Sequence, residues 1–121
     1  MRIPKIVRIS GHNYKVIWDD ERLSREELLG DINNDFKEIA LCKYYKGSKR
    51  ARAKSDIEQA CVHEIMHGID RHFNNDSLSE KVIDRLTNGL YQVLSDNFKI
   101  TTLMIRCHID PKTKKMLKET E

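Results

Sequence analysis

The chain has little cysteine, no long apolar run and almost no net charge. Its three cysteines, Cys42, Cys61 and Cys107, cannot all pair and show no CxxC spacing, and its N-terminal stretch is too polar for a signal peptide, so we expect a reducing cytoplasm. No apolar run approaches the roughly 20 residues that cross a bilayer, so no membrane partner is expected. The length predicts one domain, 1–121, with a charged tail from about residue 110.

The positive charge of the chain is concentrated in one segment. Lysine and arginine outnumber aspartate and glutamate by 22 to 19, and residues 43–54, which we call the basic loop, hold six of these cations and no acid. A net charge of +3 is too small to indicate nucleic-acid binding, so we do not expect a nucleic-acid partner. We interpret the basic loop as a solvated connection into a helix. A flap over a site or a surface for an acidic partner are the alternatives.

The first third of the chain predicts β structure. Two β-rich runs, 3–9 and 14–18, flank a turn at 11–13, which predicts a hairpin. Residues 19–29 have the spacing of a short helix, and Phe36–Cys42 predicts a further strand. Together these segments predict an antiparallel sheet of three or four strands.

Helical periodicity begins after the basic loop. A first helix is expected from about Ser55 to Phe73, capped by Ser55 or Asp56, and a second one from Leu78 to near Asn97. Residues 100–109 suggest a last strand or a packed extension. The expected core comprises Trp18 and two apolar helix stripes, namely Ile57, Cys61, Val62, Ile65, Met66, Ile69 and Phe73, then Leu78, Val82, Ile83, Leu86, Leu90, Val93 and Leu94. The fold class is therefore α+β, with the sheet packed on a motif helix and a second helix beside it.

An HExxH sequence lies within the first helix and carries the chemistry. His63 and His67 are four residues apart, so both imidazoles lie on one helix face and can converge on a single zinc ion. Glu64 is adjacent to them, where a carboxylate reaches a water on that ion and acts as general base. The pattern predicts one Zn²⁺ per chain.

The third protein ligand is less evident from the residues. The extended motif HExxHxxGxxH is excluded because Asp70 and Phe73 stand where its glycine and third histidine would be. His72 is nine residues after His63, on the opposite side of the same helix. Asp70 either hydrogen-bonds His67 or pairs with Arg71 or a neighbouring lysine.

The second helix offers two carboxylates on one face. Glu80 and Asp84 are four residues apart, and a helix hairpin would bring that face back past His67. Hairpin symmetry alone slightly favours Asp84, whereas the longer reach of glutamate favours Glu80. Glu80 also completes an S-x-x-E capping box with Ser77, which is the structural alternative.

The segments HEIMHGID and LSEKVIDRLTNGLYQVLSDN, after a strand-rich N-terminus, resemble the small HExxH metallopeptidases of bacteriophages and conjugative elements, related to the ImmA/IrrE-type and other minimal gluzincins. The resemblance implies a minimal zincin-like fold, a zinc held by His63, His67 and Glu80, and Asp84 orienting a histidine. It implies peptide-bond hydrolysis in a bacterial cytoplasm, with Glu64 as the base. It also implies an edge strand that pairs with the substrate, for which Phe36–Cys42 is the candidate.

Some roles stay open at this stage. The candidates for stabilising the oxyanion are Tyr44, Tyr45, Tyr91, Arg106 and His108. The expected partner is a protein or peptide substrate, and a regulatory protein is a further candidate because so small a protease has little surface for specificity. The alternative function is a non-catalytic zinc-containing module that uses residues 43–54 to hold nucleic acid or a protein.

Overall fold

The computed structural model describes residues 2–45 and 48–98 and shows an α+β fold with four strands and three helices in this part of the chain. Both long helices and the short one lie where the sequence predicts them, within one or two residues at most ends. The elements, in chain order, are β1 (Ile6–Ile9), β2 (His12–Trp18), α1 (Asp20–Arg25), β3 (Gly30–Asn33), β4 (Glu38–Leu41), α2 (Lys54–Phe73) and α3 (Glu80–Asn97).

The four strands form one mixed sheet in the order β1-β2-β4-β3. The β1–β2 hairpin is confirmed, with Ser10 and Gly11 in left-handed conformations at its turn. The prediction of an antiparallel sheet is wrong in one pairing, because β2 and β4 run parallel. The chain leaves β2 through α1, passes along β3 and turns back, so that β4 enters between β2 and β3 and is antiparallel only to β3.

The predicted edge strand Phe36–Cys42 is also placed wrongly. Its central part, β4, lies inside the sheet, and Ile39, Ala40 and Leu41 are all buried. A strand covered on both faces needs such a continuous apolar run. The edge strands are instead β1 and β3; both contact α2, and β3 does so more extensively.

Helix α2 packs across the sheet and closes the main core. The buried members of this core are Ile9, Tyr14, Ile39, Leu41 and Cys61, so the prediction that Cys61 is a small buried residue is confirmed. Gly68 allows the close approach, because a Cβ at this position would lie 2.7 Å from Cδ1 of Ile9. The HExxH segment, which precedes Gly68 directly, thereby lies close to the strands.

Several predicted core positions are exposed. Trp18 is 42% exposed and carries the Lys43 ammonium 4.9 Å from its ring centroid. On α3, Ile83 is buried, whereas the neighbouring stripe is 36–47% exposed, at Val82, Leu86, Leu90 and Val93. The reason is that α3 packs mainly on α2 and turns its polar face, which bears Glu80 and Asp84, toward that helix.

The beginning of α2 differs from the prediction. Ala53 is the N-cap and makes no side-chain hydrogen bond, so neither Ser55 nor Asp56 caps this helix. No helix in the described part of the chain is long and apolar enough to cross a membrane. The predictions for residues 100–109, for the tail at 110–121 and for Cys107 lie outside the described residues.

Candidate metal centre

Helix α2 presents the two motif histidines on one face. The Nε2 atoms of His63 and His67 lie 3.1 Å apart, and their rings meet edge to face with centroids 4.8 Å apart. Both residues are partly buried. The four-residue spacing therefore produces the convergence that the sequence predicts.

Helix α3 adds a carboxylate to this pair. Oε1 of Glu80 is 2.8 Å from Nε2 of His63, and Oε2 is 3.0 Å from Nε2 of His67. Glu80 is the first residue of α3, because the N-cap is Ser79, whose hydroxyl accepts the N–H of Val82. The capping-box alternative through Ser77 is thus wrong, and the Glu80 carboxylate points to the histidines instead.

The three side chains fit a zinc ion by geometry and by donor chemistry. Ligands held about 2.0–2.1 Å from a tetrahedral zinc lie about 3.3 Å from one another. The Nε2 atoms of His63 and His67 are 3.1 Å apart, and the two oxygens of Glu80 lie 2.8 and 3.0 Å from them, one oxygen to each histidine. With one donor atom taken from each residue, the three atoms lie within 4.8 Å of one another. Lone pairs on two imidazoles and a carboxylate repel one another at these distances unless a cation or shared protons lie between them. Two histidines and one glutamate are a ligand set that leaves a fourth position for water.

Asp84 occupies the position of a supporting carboxylate. Its Oδ1 is 3.2 Å from Nδ1 of His63, on the side of the ring away from Glu80. A carboxylate there accepts the Nδ1–H and leaves the Nε2 lone pair of His63 free for a metal. The structure therefore separates the two carboxylates that the sequence left open, with Glu80 at the Nε2 atoms and Asp84 at Nδ1.

Glu64 lies beside the histidines but faces the sheet. It is only 6% exposed, and its Cγ lies 3.4 Å from where a Cβ on Gly30 of β3 would be. Burial, with a smaller contribution from the negative charges of Asp31 and Glu80, raises the pKa of Glu64 to about 8. A divalent cation held by the neighbouring ligands would oppose this shift, because positive charge favours the carboxylate.

These groups open into one cavity of about 730 Å³. Gly30 and Asp31 of β3 form one wall, and the facing residues of α2 and α3 form another. β3 is not predicted from the sequence, because its four residues, Gly30–Asn33, carry one apolar side chain and no alternation. The glycine and aspartate there resemble a turn, which hid a strand that borders the site.

Of the five candidates for oxyanion stabilisation, the structure places one at the cavity. Tyr45 lines it, and its hydroxyl donates to the Asp56 carboxylate at 3.4 Å. The Tyr91 hydroxyl donates to Glu58 at 3.1 Å, and Tyr44 is 45% exposed beside its bridge to Ala51. Arg106 and His108 lie outside the described residues.

The two ends of the basic loop make specific contacts, whereas a solvated connection was predicted. Near these ends, Tyr44 and Ala51 form an antiparallel β-bridge. Arg52 is only 6% exposed, and its guanidinium donates to the carbonyls of Leu29, Cys42 and Asp56 at 3.0–3.3 Å. One cation of the loop therefore ties the loop to the strand ends and to α2, which the charge pattern alone does not indicate.

Two other residues that the sequence singled out lie away from the metal-ligating atoms. Nε2 of His72 is 2.6 Å from the Tyr14 hydroxyl, and its ring stacks on His12 with centroids 5.1 Å apart. The side chain of Asp70 contacts the turn after α2 and neither His67 nor Arg71, so both predictions for Asp70 are wrong.

Comparisons with known protein families, with curated proteins and with solved structures found no match for this chain. The resemblance to small HExxH metallopeptidases therefore stays a prediction.

Proposed function

We propose that the chain is a zinc-dependent metallopeptidase. The observation that carries the proposal is the convergence of His63, His67 and Glu80 from two helices, with the Glu64 carboxyl buried beside them at one cavity. Two surface histidines on an ordinary helix need no third ligand from another helix and no buried glutamate. Their joint presence favours a hydrolytic site over a chance HExxH match.

The residues of this chain divide the work in the proposed reaction. His63, His67 and Glu80 would hold zinc, which supplies positive charge that acidifies a water and polarises a carbonyl. Glu64 accepts the proton of the attacking water and donates it to the amine that leaves. Asp84 keeps the Nδ1 proton of His63 in place.

The substrate that fits this arrangement is an extended peptide. β3 is an edge strand of the sheet, and its Gly30 and Asp31 line the cavity. An edge strand can pair with the backbone of a further extended segment, which binds peptides of varied sequence. We therefore propose that β3, rather than Phe36–Cys42, aligns the substrate, with side-chain selectivity left to the cavity or to a regulatory protein partner.

The test compares the zinc-loaded wild type with zinc-loaded Glu64→Gln on a mixed peptide library, with cleavage read by mass spectrometry. We expect cleavage by the wild type and a loss of about 10²–10⁴-fold in the variant, because a general base contributes that much. Metal analysis of both samples should give equal zinc. Equal cleavage by the two proteins, or none by zinc-loaded wild type, contradicts the proposal.

The other candidate is a zinc-containing binding module without catalysis. It is favoured by the anchoring of the basic loop through Arg52, which lines the cavity, and by the exposed Lys49 and Arg50 in the same loop. This function predicts that Glu64→Gln has no effect on partner binding. It also predicts that replacing Lys49 and Arg50 together by glutamate abolishes the capture of an acidic ligand such as heparin, whereas the peptidase keeps its turnover.

A further inference from the structure

The turn between α2 and α3 is organised by one buried aspartate. Asp70 is 4% exposed and lies one helical turn after His67. Its backbone carbonyl accepts the N–H groups of Asn74 and Asp76, each at 3.0 Å. Its carboxylate accepts the side-chain amide of Asn74 at 2.9 Å and the backbone N–H of Leu78 at 3.3 Å. A single residue of α2 thus receives four hydrogen bonds from the segment that leads into α3.

The bond from Leu78 fixes where α3 begins. Leu78 immediately precedes the N-cap Ser79, and Glu80 is the next residue and the first of the helix. Glu80, whose carboxylate contacts both histidines, therefore comes two residues after Leu78, whose N–H is bound by Asp70. Because α3 packs mainly on α2, this anchor sets the height at which Glu80 faces them.

The position of the Glu80 carboxylate must be precise if it binds a metal. Bonds between ligands and zinc are held within about 0.2 Å, so a displacement of α3 weakens the bond that Glu80 can make. Glu80 itself is 63% exposed, so little packing surrounds its side chain. The turn therefore contributes to the position of Glu80, together with the Gln59–Asn88 and Tyr91–Glu58 hydrogen bonds that join α2 and α3 farther along.

We propose that Asp70 is a positioning residue that acts through Glu80 to complete the metal centre. The proposal rests on the metal site proposed above. Asp70 contacts no metal-ligating atom, and the neighbouring Arg71 pairs with Asp76 at 2.7 Å on the exposed side of the same turn. The buried carboxylate therefore serves the backbone of the turn and not the surface charge network.

A double-mutant cycle on zinc affinity tests the proposal. Zinc dissociation constants are measured by competition with a chromophoric chelator for wild type, Asp70→Ala, Glu80→Ala and the double variant. We expect Asp70→Ala to weaken zinc binding by about 10–100-fold, as for other groups that orient ligands. In the Glu80→Ala background, the same change should alter the affinity by less than about threefold, because the group through which Asp70 acts is gone.

Two further variants keep the test decisive. Asp76→Asn is the matched control, since it removes an exposed acid of the same turn and leaves an asparagine at its left-handed φ of 53°. It should bind zinc as the wild type does. Asp70→Asn keeps one acceptor oxygen and the side-chain volume, so it should give a smaller loss than Asp70→Ala and provides the measurement if the alanine variant does not fold.

The outcomes separate the two proposals. Full zinc affinity in folded Asp70→Ala, alongside a loss in Glu80→Ala, overturns the positioning role and leaves the metal site intact. Losses that multiply in the double variant overturn it as well, because they show that Asp70 acts on the fold at large. Wild-type affinity in Glu80→Ala contradicts the metal site itself.

Discussion

The buried carboxyl of Glu64 makes a quantitative prediction about the metal-free protein. Its pKa rises from the usual 4.5 to about 8 in the folded state, mainly through burial. Below pH 4.5 the group is neutral both folded and unfolded, so the shift costs nothing there. As the pH rises, the unfolded chain ionises first, and the folded state loses stability until the pH passes 8. From these two pKa values the loss is about 1 kcal/mol at pH 5 and about 3 kcal/mol at pH 7.

Replacing Glu64 by glutamine removes this penalty. We therefore expect metal-free Glu64→Gln to gain stability over the wild type, with a gain that grows from pH 5 to pH 7. Urea unfolding, followed by far-UV circular dichroism after dialysis against a chelator, measures the difference at each pH. Glu21→Gln, at an exposed site of α1, is the control and should follow the wild type throughout. A Glu64→Gln gain that is constant with pH, or a loss that increases with it, refutes the reasoning.

Three further predictions concern packing, metal and thiol chemistry. Gly68→Ala should lower the free energy of unfolding in urea by about 1–3 kcal/mol, because its Cβ would meet Ile9. Gly89→Ala, with open space around it, should raise the free energy of unfolding by about 0.5–1 kcal/mol. Equal effects of the two changes would contradict the packing of α2 on the sheet. Zinc at 100 times its dissociation constant should stabilise the wild type by about 2.7 kcal/mol in the same assay and leave His63→Ala unchanged. Burial raises the pKa of Cys61 to about 11, so a thiol reagent at pH 8 should label it only after unfolding, as read by peptide mass mapping, and rapid native labelling would show that this face of α2 is open.

The HExxH helix could be predicted from the sequence because local signals agree there. The apolar residues at helical spacing and the two histidines four residues apart are patterns of nearby residues, which a sequence shows directly. The β1–β2 hairpin could be predicted for the same reason, because its turn and its two strands are contiguous in the chain.

The sheet order could not be predicted in this way. Antiparallel and parallel pairing use the same alternation of side chains, and the choice depends on how the chain returns after α1 and β3. The run Ile39–Leu41 did contain a signal for a central strand, because three consecutive apolar residues suit a strand that is covered on both faces. β3 carried too little β-forming sequence to be recognised.

The third ligand shows the limit of spacing arguments. Helix periodicity placed Glu80 and Asp84 on one face, but their order along α3 could not say which carboxylate meets Nε2 and which meets Nδ1. In the structure, α3 begins at Glu80 after the N-cap Ser79, and the N–H of the preceding Leu78 bonds to the buried Asp70 of α2. Contacts of this kind join two helices and are not visible in a local pattern.

The measurement that tests the central claim most directly is the zinc content of purified wild type, His63→Ala, Glu80→Ala and Asp84→Ala after dialysis against a weak chelator. The account predicts about one zinc per chain in the wild type and in Asp84→Ala, because a carboxylate that only orients His63 weakens binding without removing a ligand. His63→Ala and Glu80→Ala should lose the metal. A wild type without zinc at neutral pH, or full zinc in Glu80→Ala, would contradict the metal centre on which the proposed peptidase depends.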